Sequence, residues 1–174
     1  MRTIIIVMFK LLVCLEGLAQ HNSQQELSAL NTLIGDWKVK AEMRLSKNGP
    51  WETSEARSRI KKVIGETIFE EEFAGTKQGR VLTAKSWLGN DNRTKLYQRI
   101  WVDSDHGVLM VQEGKMEKKV LTLSSDIEIN AQKVVLKVVY NLVNDNMFTV
   151  ESARSTDEGK TWDRTGTLTY TRIR

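Results

Sequence analysis

The chain has 174 residues, the length of one domain of ordinary size. Its 26 lysines and arginines against 22 aspartates and glutamates leave a net charge of +4. The basic residues are interspersed with acidic ones rather than gathered on a stripe, which argues against a nucleic-acid partner. Cys14 is the single cysteine, so a chain trimmed of residues 1–20 has no disulfide, no Cys–metal site and no Cys nucleophile.

Residues 1–20 read as a cleavable signal peptide. Arg2 is followed by the apolar runs Ile4 to Phe9 and Leu11 to Leu15, broken by Lys10, and then by small Gly17 and Ala19 ahead of a cut next to Gln20. The run is too short and too charged to span a bilayer. Val13 and Glu16 flank Cys14 unfavourably for a lipid-modified cysteine. The expectation is a secreted or periplasmic protein whose mature domain is 21–174, with no transmembrane segment.

Ser23-Gln24-Gln25-Glu26 is a capping box, and Leu27, Leu30 and Ile34 follow at helical spacing. A short helix is predicted over 24–33, ending at Gly35. From Asp36 the period becomes two. Trp37, Val39, Ala41, Met43 and Leu45 face one way, and Asp36, Lys38, Lys40, Glu42 and Arg44 the other. Asn48-Gly49-Pro50 makes the turn. Further strands are predicted over 53–63, 66–74, 79–89, 95–103, 107–113, 117–126, 133–142, 146–154 and 164–173. Turn residues separate them, among them Gly65, Ala74-Gly75, Gly89 to Asn92, Asp103 to Gly107 and Glu113-Gly114. About ten short alternating strands joined by hairpins imply an all-β fold, a single antiparallel up-and-down barrel behind a short N-terminal helix, because closure removes exposed sheet edges.

Leu33-Ile34-Gly35-Asp36-Trp37 resembles the Gly-x-Trp that opens the first strand of lipocalins and their calycin relatives. The resemblance implies that Trp37 closes one end of the barrel against an Arg of the last strand, for which Arg172 stands in the right place. Ser86 to Asp91, Tyr97 with Trp101 to Ser104, and Ser155 to Trp162 resemble an uncharacterised, often exported bacterial calycin-like domain family without an assigned activity. These likenesses cover about residues 27–173 and imply a fold rather than a reaction.

Alternation places Phe69, Glu71 and Phe73 on one face and Tyr97, Arg99 and Trp101 on one face of another strand. If Glu71 points inward it needs a partner, and Arg99 is a candidate. The pair would orient a polar ligand head, serve as a buried structural pair, or face water. Val134, Leu136, Val138, Tyr140 and Leu142 form the expected inward face of their strand. Met43, Met110 and Met147 suit either an adaptable lining or ordinary core. The ligand-lining set is therefore Met43, Phe69, Glu71, Tyr97, Arg99, Trp101, Met110 and Tyr140.

The remaining motifs read as structure. Ser155 to Trp162 matches the Asp-box hairpin of sialidases but occurs once, as a turn. His106 lies in the turn Asp103 to Gly107 and, with His21 the only other histidine, makes a His-rich metal site unfavourable. Asn92-Arg93-Thr94 fits a glycosylation sequon. The expected function is non-enzymatic: an exported protein holding a small hydrophobic or amphipathic molecule inside the barrel, with no cofactor, metal or catalytic set. Two alternatives are a packed, ligand-free barrel serving as an interaction module, and an enzyme (isomerase or hydrolase) on the same fold, with Glu71 and Tyr97 as the acid–base pair. Oligomeric state stays open.

Overall fold

The computed structural model describes residues 30–44, 46–77, 79–91, 93–129 and 131–174. A 3-10 turn, Asn31–Leu33, leads into ten strands: β1 Gly35–Met43, β2 Glu52–Val63, β3 Ile68–Lys77, β4 Arg80–Asp91, β5 Leu96–Asp103, β6 Met110–Glu117, β7 Val120–Ile129, β8 Gln132–Asn144, β9 Met147–Ser155 and β10 Asp163–Arg172. Each strand pairs antiparallel with the next, and β1 pairs with β10 to close the barrel. Most of the helix expected over 24–33 lies outside the described residues; its last part is the 3-10 turn.

Strand alternation sorts side chains into the barrel. Trp37, Val39 and Ala41 point inward from β1 while Lys38 and Lys40 face solvent. The expected inward face of β8 is also found, with Val134, Val138, Tyr140 and Leu142 all buried. Near Trp37, one barrel end is sealed. Leu30 and Leu33 join the core there, and the rings of Trp37, Phe148 and Tyr170 pack together, Phe148 stacking on Tyr170 at 4.1 Å and meeting Trp37 edge-on at 4.8 Å. Such contacts add about 0.5–1.5 kcal/mol per pair beyond area burial.

Arg172 fastens this end. Its guanidinium lies 4.2 Å above the Trp37 ring and donates to the carbonyls of Ile34 (2.7 Å), Thr32 (2.8 Å) and Asp145 (2.6 Å). The Trp37 indole donates to Leu33 O at 2.8 Å. Gly35 sits at φ +143°, and a Cβ there would overlap Nη1 of Arg172. The glycine of the Gly-x-Trp pattern is thus required by the arginine that stacks on the tryptophan.

Strand boundaries differ from expectation at three glycines. Gly89, read as the start of a turn, lies inside β4, which continues to Asp91 and pairs Gly89 with Gln98 of β5. Glu113-Gly114 is not a turn. β6 runs through it to Glu117, and the chain reverses at Lys118, which adopts φ +58°. Gly114 faces Leu123 across the β6–β7 pair, and the backbone of Thr122 comes so close that a Cβ would collide with its carbonyl. Glycine here permits close strand approach rather than reversal. Ala74-Gly75 likewise lies inside β3, which continues to Lys77, with Gly75 close upon Ala56 of β2.

Candidate functional site

The barrel centre holds a polar group among apolar walls. Glu71, on β3, is 5% exposed. Its Oε1 accepts from the Ser58 hydroxyl of β2 at 2.8 Å and from the Tyr170 hydroxyl of β10 at 2.9 Å. Its Oε2 accepts from Ser86 of β4 at 3.1 Å. The bond from Tyr170 ties β10 to β3, strands that are not neighbours in the sheet. Three hydroxyl donors satisfy a carboxylate that would otherwise be costly to bury.

Arg99, on β5, is 7% exposed and also points inward. It forms no ion pair with Glu71. Its Nη1 donates instead to Oε1 of Gln112, its cross-strand neighbour on β6, at 3.0 Å. The guanidinium stacks on Trp101 at 4.6 Å and lies 5.7 Å from the Tyr140 ring. The direct Glu71–Arg99 pair considered from sequence is therefore replaced by two separately bonded charges, because the neighbouring strands offer each a nearer partner. Burial pushes the Tyr140 phenol up to about 12, against the pull of Arg99. Burial, with Glu71 beside it, also raises Tyr170 well above the usual tyrosine range.

The end opposite Trp37 carries a cavity of about 340 Å³, lined by Ala41, Met43, Ser54, Phe73, Lys77 and Leu82 among others. Its size is at the lower end of small-molecule sites. Phe73 lines it and meets Trp101 edge-on at 6.0 Å, and Trp101 in turn carries Arg99. A chain of contacts thus leads from the cavity through two aromatic rings to the buried arginine.

The expected lining residues divide accordingly. Phe69, Glu71, Tyr97, Arg99 and Tyr140 are buried inside the barrel, and Trp101 packs against the core. Met43 stands at the cavity, 36% exposed. Met110 is half-buried and faces Trp101 across the β5–β6 pair. Phe69, Tyr97 and Tyr140 do not border the cavity. Phe69 pairs with Leu88 of β4, and Tyr140 stacks toward Phe148 at 6.5 Å. Ser58, Ser86, Gln112 and Tyr170 were not singled out from sequence. Each has an apolar residue two places away that is buried or, for Gln112 and Tyr170, half-buried (Met110 and Leu168), so the two-residue period marks them as inward polar groups.

The turn motifs hold their own hairpins together. Asp157 accepts from Thr161 N at 2.9 Å and from the Ser155 and Thr161 hydroxyls at 2.6 Å each, bonds that hold its carboxyl well below the usual range. Gly159 sits at φ +85°, and Lys137 lies 3.7 Å over the Trp162 ring. His106 is exposed and caps its own turn, Nδ1 lying 3.0 Å from Asp103. Burial opposes ionisation of Asp103, but hydrogen bonds from the Trp101 indole, the His106 backbone and the His106 ring outweigh it and lower its pKa. Among the described residues no three His, Cys, Asp or Glu side chains cluster as a metal site, and no helix is long and apolar enough to cross a membrane. The sequon's Asn92 lies outside the described residues.

Residues 22–172 match the family described as "Protein of unknown function (DUF1579)". The chain belongs to the DUF1579 family. No curated protein matches it. Among solved structures, the DUF1579 barrel is similar to an S-type phycobiliprotein lyase, CPES, from Guillardia theta, with TM-score 0.60, 11% identity, and 83% of this chain and 90% of that one covered. It is also similar to Rv2717c from M. tuberculosis, with TM-score 0.62, 13% identity, and 86% and 98% covered. At such identities the likeness establishes the shared calycin-like barrel.

Proposed function

We propose that this DUF1579 chain is an exported, non-enzymatic binding protein that holds a small apolar or amphipathic molecule inside the barrel. One observation carries this reading: a barrel sealed at the Trp37 end has at its other end a cavity of about 340 Å³, whose wall leads through Phe73 and Trp101 to buried polar side chains. A site of this kind, apolar with a few placed polar groups, suits a small molecule with one polar end. The likeness to a phycobiliprotein lyase is consistent with a barrel that binds a small ligand. Export rests on the pattern of residues 1–20.

The test is native mass spectrometry of protein expressed as the full chain in an exporting bacterium and purified without detergent, followed by denaturation. The reading expects a mass shortened near Gln20 and a reproducible small molecule at about one per chain. A full-length mass confined to the cytoplasm overturns export. A bare barrel from several hosts, with no uptake of added amphiphiles, overturns binding.

A further inference from the structure

Two donors in the barrel centre have no acceptor. Among the described residues, Arg99 Nε and Gln112 Nε2 are fully buried and unbonded, as is the hydroxyl of Ser125. Gln112 is 0% exposed. Its amide orientation is fixed, because Oε1 accepts from Arg99 Nη1 and the reversed amide would set N–H against N–H. Nε2 is therefore held as a donor beside the guanidinium. Buried donors of this kind are rare, and leaving one without an acceptor is costly.

The imbalance is one-sided. Glu71 has three hydroxyl donors, whereas Arg99 has two neutral acceptors, Gln112 Oε1 and the Tyr140 hydroxyl, and two aromatic faces, and no ion-pair partner among the described residues. A buried guanidinium is best matched by a planar two-oxygen anion, which takes parallel N–H bonds. Arg99 also sits one aromatic contact beyond Phe73, which lines the cavity.

From this geometry we infer that Arg99 and Gln112 form the head-group subsite for a carboxylate, so that the ligand is an amphipathic organic acid whose apolar part extends past Trp101 and Phe73 toward the cavity. This rests on the binding reading above. The carboxylate supplies acceptors for Arg99 Nε and Gln112 Nε2 together and a counter-charge for Arg99.

The experiment is isothermal titration of the delipidated full chain with decanoate, 1-decanol and decylamine, in the wild type and in Gln112→Glu. The variant is nearly isosteric, keeps the bond to Arg99 Nη1, gives Arg99 a counter-charge of its own and replaces the Nε2 donor with an oxygen that repels a ligand carboxylate. Decanoate is expected to bind the wild type at least about ten-fold tighter than decanol, with decylamine weakest, a factor that corresponds to 1.4 kcal/mol. In Gln112→Glu the acid should lose its advantage while decanol binding changes little, and thermal melting reports whether the variant folds. Arg99→Met, checked in the same way, should erase the preference from the other side. Equal binding of acid and alcohol by the wild type overturns the head-group assignment and leaves the binding reading standing. Failure of all three ligands to bind overturns the binding reading and this inference with it.

Discussion

Arg172 stacks on Trp37 at 4.2 Å while donating to three carbonyls that belong to the turn before β1 and to the β8–β9 hairpin. One side chain from the last strand thereby joins three parts of the chain. Arg172→Ala should lower stability by about 2–4 kcal/mol, as charged hydrogen bonds to several carbonyls are lost. Arg172→Lys should recover only part of this, since an ammonium cannot stack flat while serving three acceptors. Gly35→Ala should be comparably damaging, because its Cβ displaces the guanidinium. Urea unfolding of the three variants checks the order; an unchanged midpoint for Arg172→Ala would remove the latch role.

Glu71 is held by Ser58, Ser86 and Tyr170. Glu71→Ala strips three buried hydroxyls of their acceptor and leaves Arg99 as the charge of the interior. A loss of about 3–5 kcal/mol is expected. Glu71→Gln should cost much less, because hydroxyls rotate to match an amide. Chemical denaturation separates the two, and equal losses would show that the carboxylate's volume rather than its bonds matters.

Tyr140 and Tyr170 have phenols raised above the ordinary value of 10. A group whose folded pKa lies above its unfolded one contributes stability that is intact below the unfolded pKa and is lost as pH rises toward the folded one. Stability should therefore hold to about pH 10 and fall by about 2 kcal/mol by pH 12 on account of Tyr140, with Tyr170 acting in the same direction. Tyr140→Phe removes one such site and should flatten the alkaline slope in melts from pH 8 to 12. A slope unaltered by that change would assign alkaline sensitivity elsewhere.

Phe73 is 6% exposed, borders the cavity and touches Trp101. Phe73→Ala should cost about 3–5 kcal/mol but enlarge the route to Arg99. Stopped-flow mixing with an amphiphile should show faster association than in the wild type. An association rate unchanged in a folded variant would show that entry does not pass this ring.

The two-residue period made most of this architecture readable. It put Glu71 on one face with Phe69 and Phe73, put Arg99 on one face with Tyr97 and Trp101, leaving open whether the two charges point inward, and expected Tyr140 inside, and Gly-x-Trp paired Trp37 with Arg172 across the length of the chain. What it did not give was the wiring. Sequence cannot say that Glu71 looks to Ser58 and Tyr170 while Arg99 looks to Gln112, since that depends on register between strands. Gln112 lay inside the predicted strand 107–113, on the face of Met110, but the bounds of that strand were misread. Gly114, read as a turn, cut the strand short just after Gln112, although that glycine serves the close passage of the Thr122 backbone. A glycine in an alternating run is ambiguous between reversal and close approach until the partner strand is known.

Because β1 pairs with β10, the ring cannot close until the last residues are available. The backbone pairing of hairpins β2–β3 through β8–β9 is local, whereas Trp37 must wait for Arg172, and Glu71 for Tyr170, both on β10. Folding of such a topology is slowed by its most distant pairing. A chain still emerging from synthesis, or truncated before residue 163, is left as an open curved sheet with two unpaired edges and Trp37 uncovered, a form suited to capture by a chaperone. Arrival of β10 is thus the event that turns this sheet into a closed barrel.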